Sequence, residues 1–305
     1  MEVSVSPPVV ESRVVTLGNG RRIGVAEFGA PDGIAVLAFH GAPASRLMFD
    51  VAHLAAREQG IRLIAFDRPG YGLSPLDYGA TLKSRTETFA ALADALGLDR
   101  FAVLGISGGG PYAVALAAQL GRRVTALALV SPLGPVADVA SRSSDDRVEL
   151  SVAQRAFFLD LPRHPWVLRI NAQIASRSFH AAPKLVANTF MHLLPKADQV
   201  ILARPEVAKS LIAMTLEAIR HGIGGGIADF EIYGEEWHVD FNAITAKARL
   251  WQGDADTIVP VAVSERLGQL IPGCEVSCVT GGGHFWIYDS VAELLGAVRR
   301  LAEAD

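Results

Sequence analysis

Along this chain, short runs of consecutive apolar residues alternate with segments in which apolar positions recur every three or four residues. The runs fall at 14–17, 23–28, 35–40, 62–67, 101–106, 124–131, 248–252 and 275–280. Beyond the first two they are mostly apolar, the pattern of strands covered on both faces. Helical periodicity is clear at Phe89, Leu92, Ala93 and Leu96, and again at Val291, Leu294, Leu295, Val298 and Leu301. Parallel strands need a crossover between them, so the alternation predicts an α/β protein with a doubly wound, mostly parallel, eight-stranded sheet. The first two runs predict an antiparallel opening hairpin that turns at Asn19-Gly20.

The rhythm breaks between Pro132 and Ile244, where helical patterning dominates and Ser143-Ser144-Asp145 and Arg204-Pro205-Glu206 read as helix starts. That span is too long for a loop, since structureless loops beyond about 15 residues are uncommon. Residues 1–133 and 244–305 are therefore expected to form the core, and residues 134–243 an inserted helical cap. The cap's aromatic residues are expected mainly to pack among themselves, with a minority facing a pocket. Gly222–Gly226 reads as a flexible return; it lacks the preceding strand and following lysine of a phosphate loop.

Composition narrows the class. Half of the 305 residues are hydrophobic, enough for one large core plus an insertion. Charged residues make up 20% and the net charge is −4, which gives no electrostatic reason to expect nucleic acid or an anionic membrane as partner. The N-terminus lacks the basic and apolar regions of a secretory leader, and no apolar run reaches membrane-spanning length. A cytoplasmic protein acting on a small molecule is the expectation. Cys274 and Cys278 share a predicted strand, roughly 13 Å apart, too far for a mutual disulfide; both are expected to be buried. No Cys/His cluster has the spacing of a structural zinc site, so a metal is not implied.

The candidate chemistry starts at Gly105-Ile106-Ser107-Gly108-Gly109, after one apolar run and before the alanine-rich segment 111–120. Strand, sharp turn and helix with serine at the apex make a nucleophile elbow, which leaves the N–H of Gly108 free to face a developing oxyanion. An acid and then a histidine should follow. Asp256 lies three residues before Val259-Pro260, beyond the second-last strand, and is better placed than Asp254, which reads as a turn residue. His284, on the glycine-rich loop after the last strand, is the candidate base. In Phe39-His40-Gly41-Ala42-Pro43, Pro43 has no N–H, so Ala42 is the natural second oxyanion donor. His40 reads as a buried organiser of that loop, and Asp67–Ser74 as a tight structural turn beside the site.

With these motifs in this order, the chain resembles α/β-hydrolase fold enzymes with an inserted cap. The H-G-x-P loop, the D-x-P-G-x-G-x-S turn, the G-x-S-x-G elbow, the G-x-x-D-x-x-V-P acid and the terminal G-H all match. The resemblance implies Ser107 as nucleophile, His284 as base, Asp256 as its orienter and the N–H groups of Ala42 and Gly108 as oxyanion donors. It implies hydrolysis of a carboxylic ester or lactone of a small, fairly apolar substrate, without cofactor. Haloalkane dehalogenases and epoxide hydrolases of this fold use aspartate at the elbow, unlike this chain. A proline-iminopeptidase-like or carbon–carbon bond hydrolase shares part of the pattern. A triad-retaining ligand receptor or a cofactor-free lyase or oxygenase is the reading from a different class.

Overall fold

Eight strands form one sheet in the computed structural model, which describes residues 11–137 and 150–304. They are β1 (Ser12–Thr16), β2 (Arg22–Gly29), β3 (Ile34–Phe39), β4 (Ile61–Phe66), β5 (Phe101–Ile106), β6 (Val124–Val130), β7 (Lys247–Gly253) and β8 (Glu275–Val279). Their order across the sheet is β1-β2-β4-β3-β5-β6-β7-β8. β2 pairs antiparallel with both neighbours, and every other pairing is parallel. The hairpin turns at Asn19-Gly20, where Gly20 has φ 82° and the Asn19 carboxamide accepts the N–H of Arg21.

Alternate residues of each central strand serve opposite faces, as the two-residue period of a strand requires. In β3, Leu37 and Phe39 join one core with Phe66, Phe89, Tyr112 and Leu250, whereas Val36 and Ala38 join the other with Leu63, Leu295 and Val298. Helices α1 (His53–Glu58), α2 (Leu82–Ala95) and α3 (Gly110–Leu120) follow β3, β4 and β5 in turn. α2 and α3 cover the first face, and α1 covers the second.

Between β6 and β7, beyond a short helical segment at Val152–Asp160, run α4 (Pro165–Ala181), α5 (Pro183–His192), α6 (Lys196–Leu202), α7 (Pro205–Ala218) and α8 (Gly224–Tyr233). The helix start read at Arg204-Pro205-Glu206 is that of α7, while Ser143-Ser144-Asp145 lies outside the described residues. α9 (Val261–Leu270) and α10 (Ile287–Glu303) complete the chain. No helix among the described residues is long and apolar enough to cross a membrane.

Three expectations need correction. Gly222–Gly226 is no flexible return: Gly224 opens α8, and a Cβ on Gly225 would stand 2.7 Å from the backbone of Gly70. Gly225 supplies close backbone approach, and Gly222 a left-handed turn at φ 101°. Cys278 is exposed because β8 is the edge strand, and Cys274, just before that strand, is half-exposed. Finally, His40, Asp67 and Ser131 stand just beyond β3, β4 and β6 rather than inside them. There the backbone leaves the ladder to build the site.

Candidate active site

Ser107 sits at the turn from β5 into α3 with φ 52°, a left-handed conformation that costs a non-glycine residue about 1–3 kcal/mol. Its neighbours permit the turn. A Cβ on Gly105 would lie 2.7 Å from that of Ala113, and one on Gly109 would lie 2.4 Å from the carbonyl of Phe39. The Ser107 carbonyl accepts the N–H of Leu133 at 3.0 Å. Because the peptide is planar and trans, the N–H of Gly108 then points to the opposite side.

The chain brings two distant loops to this serine. His284 Nε2 lies 3.1 Å from Ser107 Oγ, and His284 Nδ1 lies 2.7 Å from Asp256 Oδ2. Asp256 Oδ1 accepts the N–H groups of Ile258 (2.8 Å) and Val259 (3.0 Å), and the Gln252 carboxamide donates to Oδ2 at 3.0 Å. Burial alone would raise the Asp256 carboxyl, but His284 and these donors hold it below the ordinary carboxylate range. Burial likewise pushes the imidazole of His284 down; the charge and hydrogen bond of Asp256, with Asp198 adding, carry it above the ordinary histidine value. Asp254 is not part of this chain of bonds. Its carboxylate accepts the N–H of Gly281 at 2.7 Å, tying down the glycine loop ahead of His284.

The loop after β3 is aimed by a buried polar network. The Gly41 carbonyl accepts His40 Nδ1–H at 2.7 Å and Arg68 Nη2 at 3.0 Å, which turns the N–H of Ala42 the other way. Among the described residues no acceptor takes that N–H. Burial, together with Arg68 and Arg46, drives the His40 pKa well down, so its Nε2 is free to accept the N–H of Arg68 at 3.1 Å. Arg68 also donates to the His40 carbonyl. Its own turn is braced by Asp67, whose carboxylate accepts the N–H groups of Leu73 (2.9 Å) and Arg46 (2.8 Å).

Two acids between β6 and β7 that sequence reasoning missed, together with Tyr233, complete the arrangement. Asp229 of α8 is fully buried and receives Arg68 Nη2 (2.6 Å), the Tyr71 hydroxyl (2.8 Å) and the Tyr112 hydroxyl (2.6 Å). One helical turn on, the hydroxyl of Tyr233 reaches the Gly108 carbonyl at 2.7 Å. Burial, reinforced by Asp229, lifts all three tyrosines well above their usual range, so they stay protonated as donors. Asp198 of α6, also fully buried, accepts the N–H groups of His284 (3.0 Å) and Phe285 (2.8 Å). A Cβ on Gly283 would collide with that carboxylate at 2.3 Å. The one signal available was polarity: each acid stands within an otherwise apolar helical pattern, Asp198-Gln199-Val200-Ile201-Leu202 and Ile227-Ala228-Asp229-Phe230.

Fold and motif order together define the class. The chain belongs to the alpha/beta hydrolase family, whose sequence model matches residues 35–297. It is 34% identical over 164 residues to a non-heme chloroperoxidase of Streptomyces lividans, covering 50% of this chain and 59% of that one. It is 27% identical over 208 residues to haloalkane dehalogenase 2 of Mycobacterium tuberculosis, covering 65% of this chain and 71% of the relative. Among solved structures, the esterase EaEST of Exiguobacterium antarcticum superposes with a TM-score of 0.71 at 18% identity, covering 96% of this chain and 100% of that one. That last likeness concerns the fold alone.

Proposed function

We propose that this family member is a serine hydrolase that cleaves a carboxylic ester or lactone of a small, fairly apolar substrate through an acyl-enzyme. The observation that carries the reading is a hydroxyl at the elbow, 3.1 Å from an imidazole whose other nitrogen is held by a buried carboxylate. His284 takes the proton as Ser107 attacks the carbonyl carbon, and Asp256 stabilises the imidazolium that forms. The N–H groups of Ala42 and Gly108 hold the oxyanion. His284 returns the proton to the leaving alcohol; water then enters by the same route and releases the acid.

Serine also separates this reading from dehalogenation. A carboxylate that displaces halide forms an alkyl ester, which water can cleave at its carbonyl; serine would form an ether, which water does not cleave under these conditions. An acyl group on serine is hydrolysable. The apolar preference is supported by Met191, Ile258 and Phe285, which stay partly exposed near His284 and Asp256 while packing on the buried cluster of Leu194, Ile201 and Val207. The test is an active-site-directed fluorophosphonate, with peptide mapping, and a panel of activated esters of graded acyl length. Label on Ser107 alone, with turnover absent from Ser107→Ala, is expected. Label elsewhere, or a single turnover without steady state, overturns the proposal.

A further inference from the structure

Helix α4 has two apolar faces, and only one of them is used. At about 100° per residue, Leu168 and Phe179 share one side of the helix. Leu168 is buried, and Phe179 packs against Tyr71, Ala218 and Ile219. Trp166, Ile170 and Ile174, at i, i+4 and i+8, line the opposite side and stand 68%, 52% and 59% exposed. On α5, which packs against α4, Leu185 is exposed too, as is Leu193 just past its end.

The charge on this part of the cap is one-sided. Residues 161–197 contain Arg163, Arg169, Arg177, Lys184 and Lys196 and no aspartate or glutamate. All five cations are exposed, and none forms an ion pair among the described residues. The segment therefore carries +5 while the chain carries −4, so the remainder carries −9. Whole-chain charge hides this separation, which is why it gave no reason to expect an anionic surface.

We propose that the outer face of α4 docks on an anionic lipid surface. Trp166, Ile170 and Ile174 enter the boundary between headgroups and acyl chains, and Arg169 and Arg177, which flank them, meet the headgroup phosphates. The acidic remainder of the chain is repelled, and this orients the cap toward the lipid. A symmetric pairing with a second copy of the chain would set these cations against themselves. A nucleic acid would satisfy the arginines but bury neither isoleucine. The inference does not depend on the hydrolase reading.

Trp166 is a built-in reporter, because the other three tryptophans, Trp237, Trp251 and Trp286, are buried. The experiment is flotation and tryptophan emission with vesicles of phosphatidylcholine, pure or mixed with phosphatidylglycerol. Flotation and a blue shift are expected only with the mixed vesicles, and both should fade at high salt. The Arg169→Gln/Arg177→Gln variant should bind about 25-fold more weakly, about fivefold per cation near such a surface. Trp166→Phe should lose the blue shift while still floating. Circular dichroism verifies that each variant folds. Absent flotation at low salt, equal flotation with pure phosphatidylcholine, or full binding by the double variant overturns the proposal. So does tighter binding to duplex DNA than to vesicles. A dimer in sedimentation that Ile170→Asp dissociates would assign the face to a second copy instead.

Discussion

Replacing Asp198 with asparagine tests whether a helix outside the sheet sets the chemistry of a histidine that it holds by the backbone. Both carboxylate oxygens accept backbone N–H groups, from His284 and Phe285, and the close approach of Gly283 leaves the group no room to swing away. An asparagine must present its own N–H₂ to one of those donors. The lost charge-assisted bond is worth about 1.5–3 kcal/mol, which urea unfolding should show. If about half of that reappears in the activation barrier, kcat falls roughly four- to twelvefold. The second readout is the pH profile. Only neutral His284 can accept the serine proton, so kcat/KM should rise with pH through its pKa. Asp256 and Asp198 hold that pKa above the ordinary histidine value, so the wild-type midpoint should lie above about 6.5. Removing one of the two negative charges should move the midpoint to lower pH. Simple loosening of the loop would lower the plateau and leave the midpoint where it was. An unchanged midpoint together with a stability loss below about 0.5 kcal/mol would refute the reasoning.

Asp256→Asn should reduce kcat by about 10⁴, as the equivalent change does in a serine protease, whereas Asp254→Asn, which weakens only the tie to Gly281, should cost less than tenfold; steady-state kinetics on one ester compares them. Asp229→Asn leaves the fully buried guanidinium of Arg68 without its counter-charge and should destabilise the fold by about 3–5 kcal/mol, measured by denaturant unfolding. Gly108→Ala would place a methyl group 2.4 Å from the Tyr233 hydroxyl; it should lower kcat and cost about 1–3 kcal/mol of stability, and Tyr233→Phe in the same background should recover part of the stability.

The central strands were legible because a sheet buried on both faces writes apolar runs into the chain, and the opening hairpin was legible from its Asn19-Gly20 turn. Strand ends were less so: a run such as Ala35–Phe39 continues into His40 without a change that marks where pairing stops. Ser107, Asp256 and His284 could be read because each sits in a loop whose glycines and proline constrain the backbone locally. Asp198 and Asp229 could not. Both lie in ordinary helices, and their partners are 86 and 161 residues away along the chain. Only packing shows that these carboxylates point inward. The exposed stripe of α4 was hidden for a related reason, since an apolar residue at helical spacing reads as core wherever it lies.

The Asp229 and Tyr233 contacts have a consequence for recombination between relatives. Drawn by chain order, the exchangeable unit would be everything between β6 and β7. Drawn by buried polar contact, α8 belongs with the sheet, because removing it would orphan Arg68, Tyr71 and Tyr112 beneath the elbow. α6 belongs there too, through Asp198, and so does α7, whose Glu217 accepts from Arg46 and whose Ser210 donates to Asp50. What is left is α4 and α5, which make no hydrogen bond to the sheet layer among the described residues. A chimaera cut on either side of that helical pair should keep its catalytic register while changing its outer face; one cut at the strand ends should not fold.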